Sequence, residues 1–217
     1  TTAAGEFSAK DTIPNAPMIV TLTRSGYVKR NSPLQFRAQN RGGKGIKGAD
    51  VKDDDEVLSI LHVMNHDDLL FFTNTGRVFQ MPAYELPQAG RIARGQAIVN
   101  LLQLKPEERI TAILKADLSQ ASFLFMITDQ GTVKRTEVAE FDNIRRSGLI
   151  AQKMPDGEEL KWVLATTGKN EILIVSKKGK AIRFPEEDVR TMGRAAVPSG
   201  ASTGSRVMAF CKASFSQ

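Results

Sequence analysis

Four glycines between positions 42 and 48 are interleaved with Arg41, Lys44 and Lys47 in the run Gln39-Asn40-Arg41-Gly42-Gly43-Lys44-Gly45-Ile46-Lys47-Gly48. Glycine lets a backbone approach a ligand closely and expose its N–H groups. Guanidinium and ammonium groups between the glycines add positive charge, and the combination suits a phosphate backbone. A solvated loop whose charges meet only water is the competing reading. Gly43 to Gly48 also matches G-x-G-x-x-G, the dinucleotide fingerprint, which carries weight only between a strand and a helix. The following residues, Ala49-Asp50-Val51-Lys52-Asp53-Asp54-Asp55, do not build an amphipathic helix, so that reading is set aside.

Arg91, Arg94, Arg145, Arg146, Arg190 and Arg194 extend the basic chemistry along the chain. One such residue is more often a solvated surface charge than a ligand, but these recur at the same place in successive repeats. Groups for bond-making are missing. G-x-x-x-x-G-K-[ST] does not occur, so no nucleotide phosphate cradle is expected. Cys211 is the single cysteine and His62 and His66 are the two histidines, which is too few for a Cys/His zinc site or a disulfide framework. Tyr27 and Tyr84 lack a nucleophilic setting. Asp53 to Glu56 reads as a solvated turn rather than a metal site, and Trp162 as a core anchor. The expectation is a binding module with no catalytic residue, no metal and no cofactor of its own.

Charge agrees with a polyanionic partner: 30 Lys+Arg stand against 24 Asp+Glu, for a net +6. Residues 1–17 are Thr/Ala/Pro-rich and read as a linker with a docking segment. They show no leader-like pattern, and no apolar run approaches the roughly 20 residues of a membrane helix. An intracellular, reducing compartment is expected.

The elements that must carry these residues repeat four times. Each repeat opens with an apolar β-rich run, turns at a glycine and continues as a short basic strand. The glycines are Gly26, Gly76, Gly131 and Gly179, spaced 50, 55 and 48 residues apart. Glycine there suits a hairpin whose backbone takes positive φ. Arg30, Gln80, Arg135 and Arg183 follow four residues later. Apolar Phe36, Leu86, Phe141 and Val189 follow ten residues later, at what should be a repeated core position. A basic, glycine-containing stretch and a turn then lead to a last apolar strand. Four-stranded units of this period read as propeller blades, over approximately 18–67, 68–121, 122–170 and 171–217 in one domain, 18–217. The last is incomplete or atypical, because Val197 to Gly204 lacks the basic glycine pattern.

Gln39 to Gly45 resembles the Gln-basic-Arg-Gly-Gly-basic-Gly box that marks the C-terminal domain of the bacterial DNA gyrase A subunit. Gly26-Tyr27-Val28-Lys29-Arg30, Leu70 to Val78, Ala97 to Leu102, Gly131-Thr132-Val133-Lys134-Arg135, Ala181 to Phe184 and Met192-Gly193-Arg194 are similar to that family in order along the chain. The resemblance implies an all-β pinwheel, a propeller-like disc whose neighbouring four-stranded blades exchange strands, with four of the family's six blades present. It implies a DNA-binding set of Gln39, Arg41, Gly42, Gly43, Lys44, Gly45, Lys47, Arg91, Arg94, Arg145, Arg146 and Arg194. Duplex DNA would wrap non-sequence-specifically around the rim. The other partners would be the rest of the gyrase A subunit together with the gyrase B subunit in an A2B2 assembly. Other parts of that assembly use ATP and Mg2+ to introduce negative supercoils. A bacterial cytoplasmic, nucleoid-associated location follows. Asn40 departs from the box by removing one basic residue. The alternatives are a protein-interaction propeller and the equivalent domain of the topoisomerase IV A subunit, which has fewer blades and lacks a complete box.

Overall fold

The computed structural model describes residues 9–36, 55–197 and 207–213. Strands dominate it. The first repeat supplies β1 (Pro17–Thr23), β2 (Tyr27–Asn31) and β3 (Val57–Met64). The second supplies β4 (Asp68–Thr73), β5 (Arg77–Pro82), β6 (Gln96–Ala97) and β7 (Ile110–Lys115). The third supplies β8 (Phe123–Thr128), β9 (Val133–Glu137), β10 (Leu149–Ile150) and β11 (Leu160–Thr166). The fourth supplies β12 (Glu171–Ser176), β13 (Ala181–Pro185) and β14 (Val207–Ala213). Among the described residues, helix is confined to the four-residue Ala9–Thr12 and short 3-10 turns. No described helix is long and apolar enough to cross a membrane.

The chain forms two compact units, Thr1–Leu69 with Met81–Leu101, and Leu70–Gln80 with Leu102–Gln217. Four antiparallel sheets are laid down in chain order: β3-β1-β2-β6, β10-β5-β4-β7, β11-β8-β9 and β13-β12-β14. Sheets one and two reach four strands by borrowing. β6 pairs with β2 through Tyr27↔Ala97 and Val28↔Gln96, and β10 pairs with β5 through Leu149↔Val78 and Ile150↔Arg77. Each borrowed strand belongs to the next repeat in sequence. Sheets three and four have three strands among the described residues, and isolated parallel bridges join Arg30 to Gln88 and Arg135 to Thr191.

Steric and hydrogen-bond constraints explain why the repeats turn where they do. Gly26, Gly76, Gly131 and Gly179 have φ of 81, 78, 89 and 74°, a region costly for residues with a Cβ. Each glycine N–H donates to the carbonyl three residues back, on Thr23, Thr73, Thr128 and Ser176, at 3.0–3.1 Å. The hydroxyl of that same residue accepts the N–H four residues on, from Tyr27, Arg77, Thr132 and Lys180. A hydroxyl residue before every turn is a local signal that reading the glycines alone passes over.

The acidic turns before the last strand fasten back onto these hairpins instead of being merely solvated. Asp55 Oδ1 accepts the Ser25 N–H at 2.9 Å, and Glu158 accepts from the Thr128 and Thr132 hydroxyls. Glu108 is buried and accepts from Thr73, Thr75, Arg77 and the Lys105 N–H.

Within the second unit, β8 shows why the apolar runs are continuous instead of alternating. Side chains of a strand alternate between faces. Leu124 and Met126 enter a core with Leu70, Phe72, Val78, Phe141, Leu160 and Val163. Phe125 and Ile127 enter a second with Ile172 and Ile174, against which Trp162 and Phe184 pack. Both faces of β8 are covered. In the first unit Val20, Leu22, Val28 and Val63 are fully buried. The apolar position ten residues past each glycine is buried at Leu86 and Phe141 and packed at Val189, but Phe36 is 38% exposed.

Candidate nucleic-acid interface

A tight basic turn precedes each of the two borrowed strands, and a third stands at the same place in the fourth repeat. The Ala93 N–H donates to the Gly90 carbonyl (3.1 Å), the Gly148 N–H to Arg145 (2.8 Å) and the Ala196 N–H to Gly193 (3.0 Å). These turns carry Arg91, the pair Arg145 and Arg146, and Arg194, and Arg94 follows the first. Arg94, Arg145, Arg146 and Arg190 are exposed, whereas Arg91 and Arg194 are half-buried.

The arginines are not equivalent. Arg94 lies over the Tyr27 ring, its guanidinium carbon 3.5 Å from the centroid, which leaves the edge N–H groups available while the face is spent on the ring. The backbone turns back at Gly95, where a Cβ would meet the Val28 carbonyl oxygen at 2.4 Å. Arg194 donates weakly to the Ile150 carbonyl (3.4 Å) and faces Glu140 at 3.9 Å, so its charge is partly answered within the protein.

The basic residues four past each hairpin glycine are fastened into the fold. Arg30 Nε donates to the Leu86 carbonyl (2.7 Å) and Nη1 to Asn65 Oδ1 (2.8 Å). Burial pulls its pKa down. Arg135 lies over the Phe123 ring at 4.6 Å, and Arg183 pairs with Glu171.

Beneath the basic turns lie two cations whose location the sequence reading did not anticipate. Lys29 and Lys134, each three residues past a hairpin glycine, are 4% and 0% exposed. Lys29 Nζ donates to the carbonyls of Arg91 (2.7 Å) and Ala93 (2.8 Å). Lys134 Nζ donates to those of Arg194, Ala196 (3.1 Å) and Ala151 (3.4 Å). Desolvation lowers the pKa of Lys29. Desolvation also lowers Lys134 to about 8, opposed by Glu140 and reinforced by Arg194. The available signal was the string Val-Lys-Arg at one offset in two repeats.

Gln39, Arg41, Gly42, Gly43, Lys44, Gly45 and Lys47, together with Asn40, lie outside the described residues, as does the atypical stretch beyond Val197 up to Gly204. Among the described residues no cluster of three or more His, Cys, Asp or Glu could hold a metal ion. His62 is exposed on β3, and His66 Nε2 lies 2.7 Å from the Ile13 carbonyl oxygen.

The sequence matches a family described as DNA gyrase C-terminal domain, beta-propeller, over residues 17–64, 67–117, 122–167 and 170–198. The chain belongs to this family. The four matched stretches follow the four repeats, and the all-β propeller architecture expected from them is the family's fold. The DNA gyrase A subunit of Streptococcus pyogenes serotype M1 is 46% identical over 86% of the chain, which spans 23% of that protein. A solved C-terminal domain of DNA topoisomerase IV has a TM-score of 0.75 at 28% identity, covering 94% of the chain and 63% of that structure. A solved DNA gyrase A C-terminal domain has a TM-score of 0.65 at 30% identity, with 84% and 59% covered. The chain's fold is therefore similar to that of solved C-terminal domains of both topoisomerase IV and gyrase A.

Proposed function

We propose that this chain binds duplex DNA without sequence preference and wraps it, as the C-terminal part of a gyrase A subunit. The observation that carries this reading is the short, hydrogen-bonded basic turn that recurs at one place in three successive repeats, with Arg91 and the following Arg94, Arg145 and Arg146, and Arg194. Arginine and lysine directed at phosphates position a duplex without reading its bases, and no described helix is available to enter a groove. The box residues Gln39, Arg41, Gly42, Gly43, Lys44, Gly45 and Lys47 anchor one end of the wrap in this proposal. The repeats over 18–67, 68–121, 122–170 and 171–217 act as one wrapping domain, with 1–17 as its linker and docking segment.

In the whole enzyme the wrap presents a second duplex segment to the gate formed elsewhere in the gyrase A subunit. Strand passage driven by ATP and Mg2+ in an A2B2 assembly with the gyrase B subunit then introduces negative supercoils in the bacterial cytoplasm. The chain itself contributes binding and bending, not bond cleavage.

Fluorescence anisotropy with mixed-sequence duplexes across a salt titration tests the reading. Neutralising about six to ten phosphates predicts a roughly 10³–10⁵-fold loss of affinity between 50 and 200 mM salt. A flat titration overturns it and favours a protein-interaction propeller. The TM-score of 0.75 with a topoisomerase IV domain favours one rival within DNA binding. That rival predicts binding whose bending does not depend on Arg41, Lys44 and Lys47.

A further inference from the structure

We propose that Lys29 and Lys134 are positioning residues, each ammonium holding the main chain of the following repeat's basic turn in the shape that presents its arginines to a polyanionic backbone. The presentation half of this statement rests on the DNA-binding reading, and the bracing half stands on geometry alone.

The two lysines occupy one repeat position, three residues past Gly26 and Gly131, and both are withdrawn from solvent. A buried ammonium is costly unless its N–H groups are answered. Here the answering groups are main-chain carbonyls of the next basic turn: Arg91 and Ala93 for Lys29, Arg194 and Ala196 for Lys134. Both lysines therefore grip the carbonyl of a turn arginine and of the residue two beyond it. Among the described residues no carboxylate takes either ammonium in a salt bridge, and the bonds reach the backbone instead of a side chain that could swing away.

The second sheet performs the same task by other means, which marks the position as functional in the fold. There the equivalent residue is Phe79, fully buried, and Gly148 packs so closely that a Cβ would meet the ring at 2.8 Å. The donor moves to Arg77, whose guanidinium lies over the Phe79 ring at 4.6 Å and donates to the Ser147 carbonyl inside the basic turn. At three successive sheets a cation rooted in the second strand of the hairpin bonds the main chain of the next basic turn.

Amide hydrogen exchange on the 217-residue chain reads the bracing directly. Lys29→Met should raise exchange at Ala93, and Lys134→Met at Ala196, by roughly tenfold to a hundredfold, the population equivalent of losing a charge-assisted hydrogen bond. Exchange at the hairpin amides of Gly26 and Gly131 should stay at the wild-type rate, because a general loss of stability would raise those too. Duplex binding at low salt should fall in Lys29→Met by the same factor as in Arg91→Ala, with the double variant no weaker than either. Unchanged exchange at Ala93 and Ala196, a uniform rise everywhere, or additive losses in the double variant would overturn the proposal. If wild type binds no duplex while the two amides respond as expected, the DNA reading fails and the brace remains. If either methionine variant does not fold, through-hydrogen-bond couplings in wild type decide the matter. They should connect the Lys29 ammonium to the carbonyl carbons of Arg91 and Ala93, and their absence would refute the brace.

Discussion

Glu108 offers a quantitative test of how the repeats are locked. Its side chain is fully buried and its carboxylate collects four donors. Oε1 accepts from the hydroxyls of Thr73 (2.8 Å) and Thr75 (2.7 Å), and Oε2 accepts from Arg77 Nη1 (2.7 Å) and the Lys105 N–H (2.8 Å). Burial opposes ionisation, but the Lys105 N–H, the Thr75 and Thr73 hydroxyls and the Arg77 charge outweigh it and hold the pKa below the ordinary glutamate value. Glu108→Ala removes every acceptor and leaves a guanidinium whose side chain is 15% exposed, so a loss of about 3–5 kcal/mol is expected. Glu108→Gln is milder. Its amide nitrogen can face the two hydroxyls, which rotate to accept, while its oxygen still serves Arg77 and Lys105. The charge is lost from two remaining bonds at about 1 kcal/mol each, giving about 2 kcal/mol. Urea unfolding followed by Trp162, the single tryptophan and a neighbour of the second unit's core, measures both values. Because the folded pKa is lowered, the carboxylate's contribution is fully present above the unfolded value near 4.5. It is lost as pH falls through the folded pKa, and Glu108→Gln should lack this acid limb. An alanine variant within about 1 kcal/mol of wild type, or glutamine as costly as alanine, would refute the reasoning.

Gly76→Ala and Gly179→Ala both place a Cβ at positive φ, but at Gly76 it would sit 2.1 Å from the Gln152 carbonyl oxygen and at Gly179 it meets nothing within 4 Å. Thermal unfolding should show Gly179→Ala losing about 1 kcal/mol and Gly76→Ala at least twice that. Lys134 has a folded pKa of about 8 against 10.5 unfolded, so between those values the unfolded chain binds the extra proton and stability should rise with pH. Subtracting the Lys134→Met curve from wild type should give this rise, at most about 3 kcal/mol, and a flat difference curve would contradict it. Replacing Arg41, Lys44 and Lys47 together by alanine should leave a gel shift but abolish duplex bending read by end-to-end energy transfer. Bending costs about 1–6 kcal/mol per 20–30 bp, which the lost anchor no longer offsets. Under the proposed function, supercoiling by the reconstituted enzyme should vanish while relaxation persists, and unchanged bending would place the anchor elsewhere.

What the sequence by itself determined was local. Positive φ at Gly26, Gly76, Gly131 and Gly179 follows from the absence of a Cβ and from the apolar runs that flank each turn. Four occurrences of that signal at three similar spacings are enough to specify an all-β repeat protein, because each element declares itself within about ten residues. The recurring basic turns were visible for the same reason.

Only the tertiary structure decided what the repeats exchange and which cations are free. β6 and β10 are two residues long, too short for any period to show, and they are strands solely because β2 and β5 present unpaired edges to them. Lys29 and Lys134 carry the residue type most at home in water, yet they are buried, because carbonyls some 60 residues away answer their N–H groups. Arg94 and Arg194 read as interchangeable with Arg145, but one is stacked on Tyr27 and the other faces Glu140. A charge is legible from composition, whereas its partner is set by contacts distant in the chain, and that is where the fold, not the sequence, assigns the role.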